Sequence, residues 1–254
     1  MKALVYHGPG RKALEERPRP ELQSPTDAIV RVTRTTICGT DLHILKGDVP
    51  TCEPGRILGH EGVGVVEQVG AAVDSLKPGD RVLISCISSC GRCEYCRRGL
   101  YSHCTTGGWI LGNRIDGTQA EYVRIPHAAT SLYRIPGGAD EDALVMLSDI
   151  LPTGFECGVL NGKVQPGCSV ANVGVHGVKA DLHLEKLWDR NISITTRLVD
   201  TVSTPMLLKT VRAGRLDPTR LITHRFSLDD VERAYDTFGR AAQTHALKVI
   251  IEVG

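Results

Sequence analysis

The sequence predicts an α+β fold: a small β-barrel or sandwich joined to a single βαβ-sized unit. Three observations predict it. Short apolar or alternating runs, cut by Gly, Pro and Asp, fill the chain from Met1 to about Pro136. Helix-like and strand-like patterns alternate after Asp140. Gly is abundant, 27 of 254 residues or about 11% against the usual ~7%, and its run from Gly59 to Gly70 fits strands whose backbones approach closely beside a site.

In order, Ala3–Tyr6, Ile29–Val32, Val63–Val66, Arg81–Ile84 and Tyr122–Ile125 read as strands. Turn chemistry punctuates them, as in Lys77-Pro78-Gly79-Asp80. Asp140–Leu151 reads as a helix, with Asp140, Glu141 and Asp142 favoured at its positive end. Gly154–Leu160 continues as a second helix. Val170–Val173 as a strand, Asp181–Arg190 as a helix and Ile192–Val199 as a strand make the βαβ unit. Thr204–Ala213 and Leu228–Phe238 are helices, the latter with Ser227 as N-cap, and Leu247–Val253 is a closing strand.

Composition removes several function classes. Lys and Arg number 30 against 29 Asp and Glu, a net charge of +1, which argues against nucleic acid as partner. No apolar run reaches the ~18 residues a membrane span needs. Met1–Gly10 lacks the apolar core of a signal peptide, so the chain reads as cytoplasmic.

Four of the 9 cysteines, Cys90, Cys93, Cys96 and Cys104, share one window with the spacing C-x2-C-x2-C-x7-C. Four thiolates on a tight loop make a closed tetrahedral zinc site, which stabilises the loop and does no chemistry. Two disulfides are the alternative, disfavoured in a cytosolic chain of this size. Cys38 differs, because His60 and Glu61 follow in Gly59-His60-Glu61-Gly62. A thiolate, an imidazole and a carboxylate can hold zinc with one coordination position open, but each also has a bland reading as buried thiol, core imidazole or surface acid. Cys52, Cys86, Cys157 and Cys168 have no ligand-like spacing and read as ordinary thiols.

These motifs carry a resemblance. With Cys38-Gly39-Thr40-Asp41-Leu42-His43, Gly59 through Gly64, Lys77 through Val82, the four-cysteine loop and Asp149 through Gly154, the chain resembles the zinc-dependent medium-chain alcohol dehydrogenases. The likeness is to the bacterial tetrameric branch that holds butanediol, threonine and sorbitol dehydrogenases. It implies a GroES-like β-barrel catalytic domain carrying a fragment of a truncated Rossmann domain. By it, Cys38, His60 and Asp149 are catalytic zinc ligands and Glu61 is a carboxylate able to enter the shell. Thr40 would bind the substrate hydroxyl, and His43 would pass its proton to solvent. Trp109 and Leu198 would wall the pocket for a small alcohol, aldehyde or ketone.

Hydride transfer also needs a nicotinamide cofactor, whose fingerprint is Gly-x-Gly-x-x-Gly between a strand and a helix. It is absent. In Gly174-Val175-His176-Gly177-Val178-Lys179, His and Lys stand at the second and third glycine positions. Asp200 follows as a potential ribose carboxylate, but without the glycines it is not assigned. The family register runs to Gly167 and resumes near Ala171, so most of a dinucleotide domain of ~100–150 residues is missing. The join lies near 167–170, at Cys168-Ser169, and register on both sides points to an engineered rather than natural deletion. The implied division is a zinc-binding unit of residues 1–152 with 198–254, and a nucleotide-domain remnant over 153–197.

The expectation is therefore an alcohol dehydrogenase catalytic domain with zinc at two sites and weak or absent NAD(P) binding. Two other functions stay open: hydrolysis by a zinc hydroxide, and a zinc-bound scaffold without catalysis. A strand at Ile192–Thr196 would leave an unpaired edge, which predicts a homodimer or larger assembly.

Overall fold

A computed structural model describes residues 1–168, 179, 181–187 and 192–254. The chain folds around strand β3 (Ala28–Ile37), ten residues long. One edge pairs antiparallel with β4 (Gly62–Val69) along nearly its whole length. The other edge is shared: its first half pairs with β6 (Tyr122–Ile125), its second with β9 (Lys248–Glu252). Beyond β4 lie β5 (Arg81–Ile84) and β7 (Leu132–Arg134); beyond β9 lies β8 (Ile222–Ser227), the parallel member. The register of β3 on β4 slips twice, between Ile29 and Val30 and between Val32 and Arg34. Such bulges bend and twist a pair, which curls the sheet toward a barrel. Gly64 lets that happen, since a Cβ there would collide with the Arg31 carbonyl of β3. A hairpin of β1 (Lys2–Tyr6) and β2 (Lys12–Glu16) bridges to Ala120 and Ile57 and covers one end.

Both faces of the sheet are buried. Val249 and Ile251 of β9 point into the main core with Val30, Val32, Val66 and Ile84. Ile250, between them, points to a second cluster with Val63, Leu83 and Leu144–Leu147, as a period of two requires. Helices serve as connectors and covers: α1 (Gly39–Lys46), α2 (Glu94–Arg97), α3 (Ala128–Ser131), α4 (Glu141–Val145), α5 (Ile150–Thr153), α6 (Thr204–Arg212), α7 (Val231–Gly239) and α8 (Ala241–Thr244). No helix among the described residues is long and apolar enough to cross a membrane.

The five early strands, the α6 helix and the closing strand form where the sequence patterns place them. Ser227 accepts the Asp230 amide, but the helix it was expected to cap opens as a 3-10 turn, Leu228–Asp230, before α7. Other expectations need correction. The single helix expected over Asp140–Leu151 breaks into α4 and α5, because Leu144 through Leu147 are drawn into the second core and Asp149 leaves helical geometry at φ −142°, ψ −63°. Gly154–Leu160 forms, as a π-helix.

The βαβ unit is not seen among the described residues. Asp181–Arg190 contributes a 3-10 turn at Leu184–Lys186, and its positions 188–190 lie outside the described residues. Ile192–Val199 runs without strand pairing, with Ile192 and Ile194 each more than half exposed at 52% and 54%. A strand needs a neighbour for its backbone groups, and none lies beside it among the described residues. The edge on which self-association was expected is therefore not formed there. The expected strand at Val170–Val173 lies outside the described residues, as do Ser169 at the join and Gly174 through Val178 of the weak glycine motif.

Candidate metal centre

Three segments converge at the end of β3. Cys38 follows its last residue and sits at the N-cap of α1, in extended geometry at φ −108°. Its amide donates to Asp41 Oδ2 (2.8 Å), which fixes the turn. His60 follows Gly59, whose φ of +93° is left-handed and whose missing Cβ leaves space for Gln119 and Thr118. Thr35 and Thr118 both donate to the Glu61 carbonyl at 2.7 Å, so the backbone beside His60 is held from two sides. Asp149 comes from the break between α4 and α5. Ser148, its neighbour, accepts the Gly62 amide (3.0 Å) and donates to the Gly62 carbonyl (3.2 Å), which ties the Asp149 segment to the His60 segment.

Sγ of Cys38, a ring nitrogen of His60 and a carboxylate oxygen of Asp149 thereby lie within 4.8 Å of one another. His60 Nε2 is 3.2 Å and Cys38 Sγ 3.8 Å from Asp149 Oδ2. Ligands at ~2.0–2.3 Å on a tetrahedral zinc stand about 3.3–3.8 Å apart, so the set fits three of that ion's four positions. Burial pushes the Asp149 carboxyl up, but His60 and the Thr153 hydroxyl outweigh it and hold its pKa at about 2. Burial likewise works against a charged His60, and its bonds to Asp149 and Cys38 reverse this, placing its pKa well above the ordinary value.

Glu61 is placed differently from its expected role in the shell. It does not belong to the ligand cluster. Its Oε2 receives the Lys248 ammonium at 2.5 Å and the Thr36 hydroxyl, with the Lys248 and Glu61 side chains only 3% and 1% exposed. Its other oxygen, Oε1, is buried without a hydrogen-bond partner. Sequence reasoning missed Lys248 altogether; the two residues lie 187 positions apart.

Thr40 lies beside the cluster, its hydroxyl oxygen accepting from Cys38 Sγ at 3.7 Å. His43, one turn further along α1, pairs through Nδ1 with Asp48 Oδ2 at 2.7 Å. Asp48 reaches back because Gly47 ends α1 in left-handed geometry, φ 85°. The Trp109 ring meets His60 edge-on, centroids 6.2 Å apart and planes at 71°. Its Nε1 is buried without a partner. Leu198 is 45% exposed; its neighbour Val199 packs with Cys86, Ile87 and Trp109 in its place. Asp200 is buried, and it accepts from Ser102 and Arg197.

The second cluster is the four-cysteine loop, whose sulfurs also lie within 4.8 Å of one another. All nine cysteines are free thiols, and Cys90 Sγ and Cys96 Sγ stand 3.9 Å apart. A tetrahedral zinc with ~2.3 Å bonds places its sulfurs about 3.8 Å apart. Backbone amides aim at the sulfurs: Cys93 N at Cys90 Sγ (3.3 Å) and Cys96 N at Cys93 Sγ (3.5 Å). The amides of Cys96 and Thr105 pull the Cys93 thiol down to about 6, while burial pushes Cys96 up to about 12.

The alcohol dehydrogenase GroES-like domain family matches residues 24–137. Zinc-type alcohol dehydrogenase B of Aspergillus flavus is 43% identical over 155 residues, 61% of this chain and 36% of that protein. An alcohol dehydrogenase of Cupriavidus necator is 40% identical over 192 residues, 67% of this chain and 50% of that protein. The chain thus spans about half or less of the length of these relatives. Among solved structures, a zinc-dependent alcohol dehydrogenase 2 from Streptococcus pneumonia superposes with a TM-score of 0.91 at 40% identity, covering 100% of this chain and 98% of that one.

Proposed function

This chain belongs to the zinc-type medium-chain alcohol dehydrogenase family, and on that premise we propose that it is the zinc-binding catalytic part of an enzyme that oxidises small alcohols to aldehydes or ketones. Most of its nucleotide-binding domain is missing, so NAD(P)-linked turnover is weak or absent. The observation that carries this reading is the convergence of Cys38, His60 and Asp149, whose ligand atoms lie within 4.8 Å of one another.

Zinc at this cluster supplies Lewis acidity, which lowers the pKa of a bound hydroxyl. The other steps belong to the chain. The Thr40 hydroxyl has one donor and two acceptor lone pairs, so it takes the alcohol proton while giving its own onward. His43, with 26% of its side chain exposed, delivers that proton to water. Trp109 closes one wall and keeps water from the His60 side. The four-cysteine loop holds a second zinc with no open position. The pairing of β9 with β3 supports grouping residues 198–254 with residues 1–152 as one unit, leaving 153–197 as the remnant.

The test is metal content together with oxidation of a small alcohol panel, with Cys38→Ala as control. Two zincs per chain, falling to one in Cys38→Ala, are expected, with little NAD(P)⁺-linked turnover. One zinc in both proteins would sink the proposal.

A further inference from the structure

A chain of buried hydrogen bonds runs from helix α7 to the edge of the metal centre. The Tyr235 hydroxyl donates to Gln119 Oε1 at 2.8 Å across 116 positions of sequence. Gln119 Nε2 donates to Asp41 Oδ2 (3.2 Å) and to the Thr36 carbonyl (3.1 Å). Asp41 Oδ1 has no hydrogen-bond partner and faces His60 Nδ1 across 4.0 Å. Tyr235, Gln119 and Asp41 are 2%, 0% and 1% exposed, so no bulk water completes these bonds.

The orientation of the Gln119 amide is forced. Asp41 and the Thr36 carbonyl only accept, so the NH₂ end must face them and the oxygen must face Tyr235. The Tyr235 phenol can serve only while protonated, and burial holds its pKa well above the ordinary value. The position of Gln119 is itself fixed, because a Cβ on Gly59 would stand 2.7 Å from Gln119 Cγ. A ring whose Nε2 serves a metal needs its other N–H held by an acceptor, and such outer partners set ligand orientation and affinity.

We propose that Gln119 and Tyr235 are positioning residues of the metal centre, aiming Asp41 at His60 so that the imidazole presents Nε2 to the ion. This rests on the reading of Cys38, His60 and Asp149 as a metal site. Without the Tyr235 hydroxyl the amide loses the group that locks its orientation. Without the Gln119 amide, Asp41 is left with the Cys38 amide as its one hydrogen-bond donor among the described residues.

The experiment measures zinc affinity at both sites by competition with a chromophoric chelator, with Co²⁺ absorption bands as a second readout. It uses the full chain, wild type, Tyr235→Phe and Gln119→Leu. Tyr235→Phe removes a single oxygen and guards against a misfolded Gln119→Leu. Expected is a loss of roughly 10- to 100-fold at the three-ligand site in Gln119→Leu, the range for outer-shell partners. A several-fold loss is expected in Tyr235→Phe, with shifted cobalt bands in both and an unchanged four-cysteine site. Unchanged affinity and bands in both variants overturn the inference alone. So does equal weakening of both sites, which marks a merely structural role. A wild-type chain that takes metal only at the four cysteines overturns the metal-centre reading, and this inference falls with it.

Discussion

Glu61 shows how a residue of the right type can be recruited to a different partner. A carboxylate next to a ligand histidine invites a place in the metal shell, yet its Oε2 is committed to Lys248 and Thr36. The pair is nearly sealed from water, so neither charge is solvated if the other is removed. Breaking such a pair costs about 3–5 kcal/mol, whereas replacing both partners with neutral groups costs much less. Lys248→Met is therefore expected to lose about 3–5 kcal/mol in guanidinium unfolding of the metal-loaded chain, and Glu61→Gln with Lys248→Met to regain much of it. A single-variant loss below about 1 kcal/mol would show that the pair is not stabilising in this sense. The types and spacing of Cys38, His60 and Glu61 were legible in the sequence. The identity of Glu61's partner was not, because hydrophobic patterning says which strand β9 is and nothing about which side chain across the sheet its first residue meets. Asp48 is a milder case: Gly47 is a readable helix stop, and a stop of that kind brings the next residue back over the last turn, onto His43.

Elements were legible where period alone decides them. Strands β1, β3, β4, β5, β6 and β9 show the short apolar or alternating runs that sheet strands require, whereas β8, half-exposed along Ile222–Ser227, carries no such run. The break between α4 and α5 could not, since Asp140–Leu151 carries a continuous helical pattern and the interruption comes from tertiary contacts of Ser148 and Asp149. Beyond that break, the π-helix Gly154–Leu160 buries Glu156 completely. Its carboxylate accepts the amides of Asp200 (2.8 Å), Thr201 (3.1 Å) and Ser203 (2.8 Å) and the Ser203 hydroxyl (2.6 Å). It fastens the segment that leads into α6, where Thr201 adopts left-handed φ 61°. Glu156→Leu would strand several buried donors, each costing about 1–3 kcal/mol, so a loss of about 3 kcal/mol or more is expected in thermal or chemical unfolding. A change within 0.5 kcal/mol would mean the segment is held by something else. The four-cysteine loop makes the opposite case, an element with little apolar burial of its own. Cys93→Ala is expected to release one zinc per chain and to raise amide exchange across residues 90–104, leaving exchange in β3 and β4 unchanged. Spread of the effect into those strands would show that the loop supports the sheet.

At the scale of the molecule, the sheet draws strands from both ends of the chain into one body around the candidate metal centre. Its closing strands β8 and β9 come from the last part of the chain: β9 pairs onto β3 and β8 pairs onto β9, so they join the sheet built by the first part. Among the described residues of 153–197, Glu156 is buried, while Val159, Leu160, Leu182, Leu184, Ile192 and Ile194 are all 42–66% exposed. A dinucleotide site needs what this region lacks in sequence, glycines where a pyrophosphate must approach the backbone at the start of a helix. His176 and Lys179 stand at two of those positions. The proposed function implies a separation of the two ligand classes of the family within one chain. Zinc content near two per chain should coexist with no saturable quenching or enhancement of NADH fluorescence across the micromolar range. Micromolar NADH affinity would mean that the chain builds a nucleotide site by another route, and would overturn the proposed weakness of NAD(P)-linked turnover. Absence of zinc from the three-ligand site in a chain that stays folded would instead mean that Cys38, His60 and Asp149, though brought together, do not suffice to hold the ion.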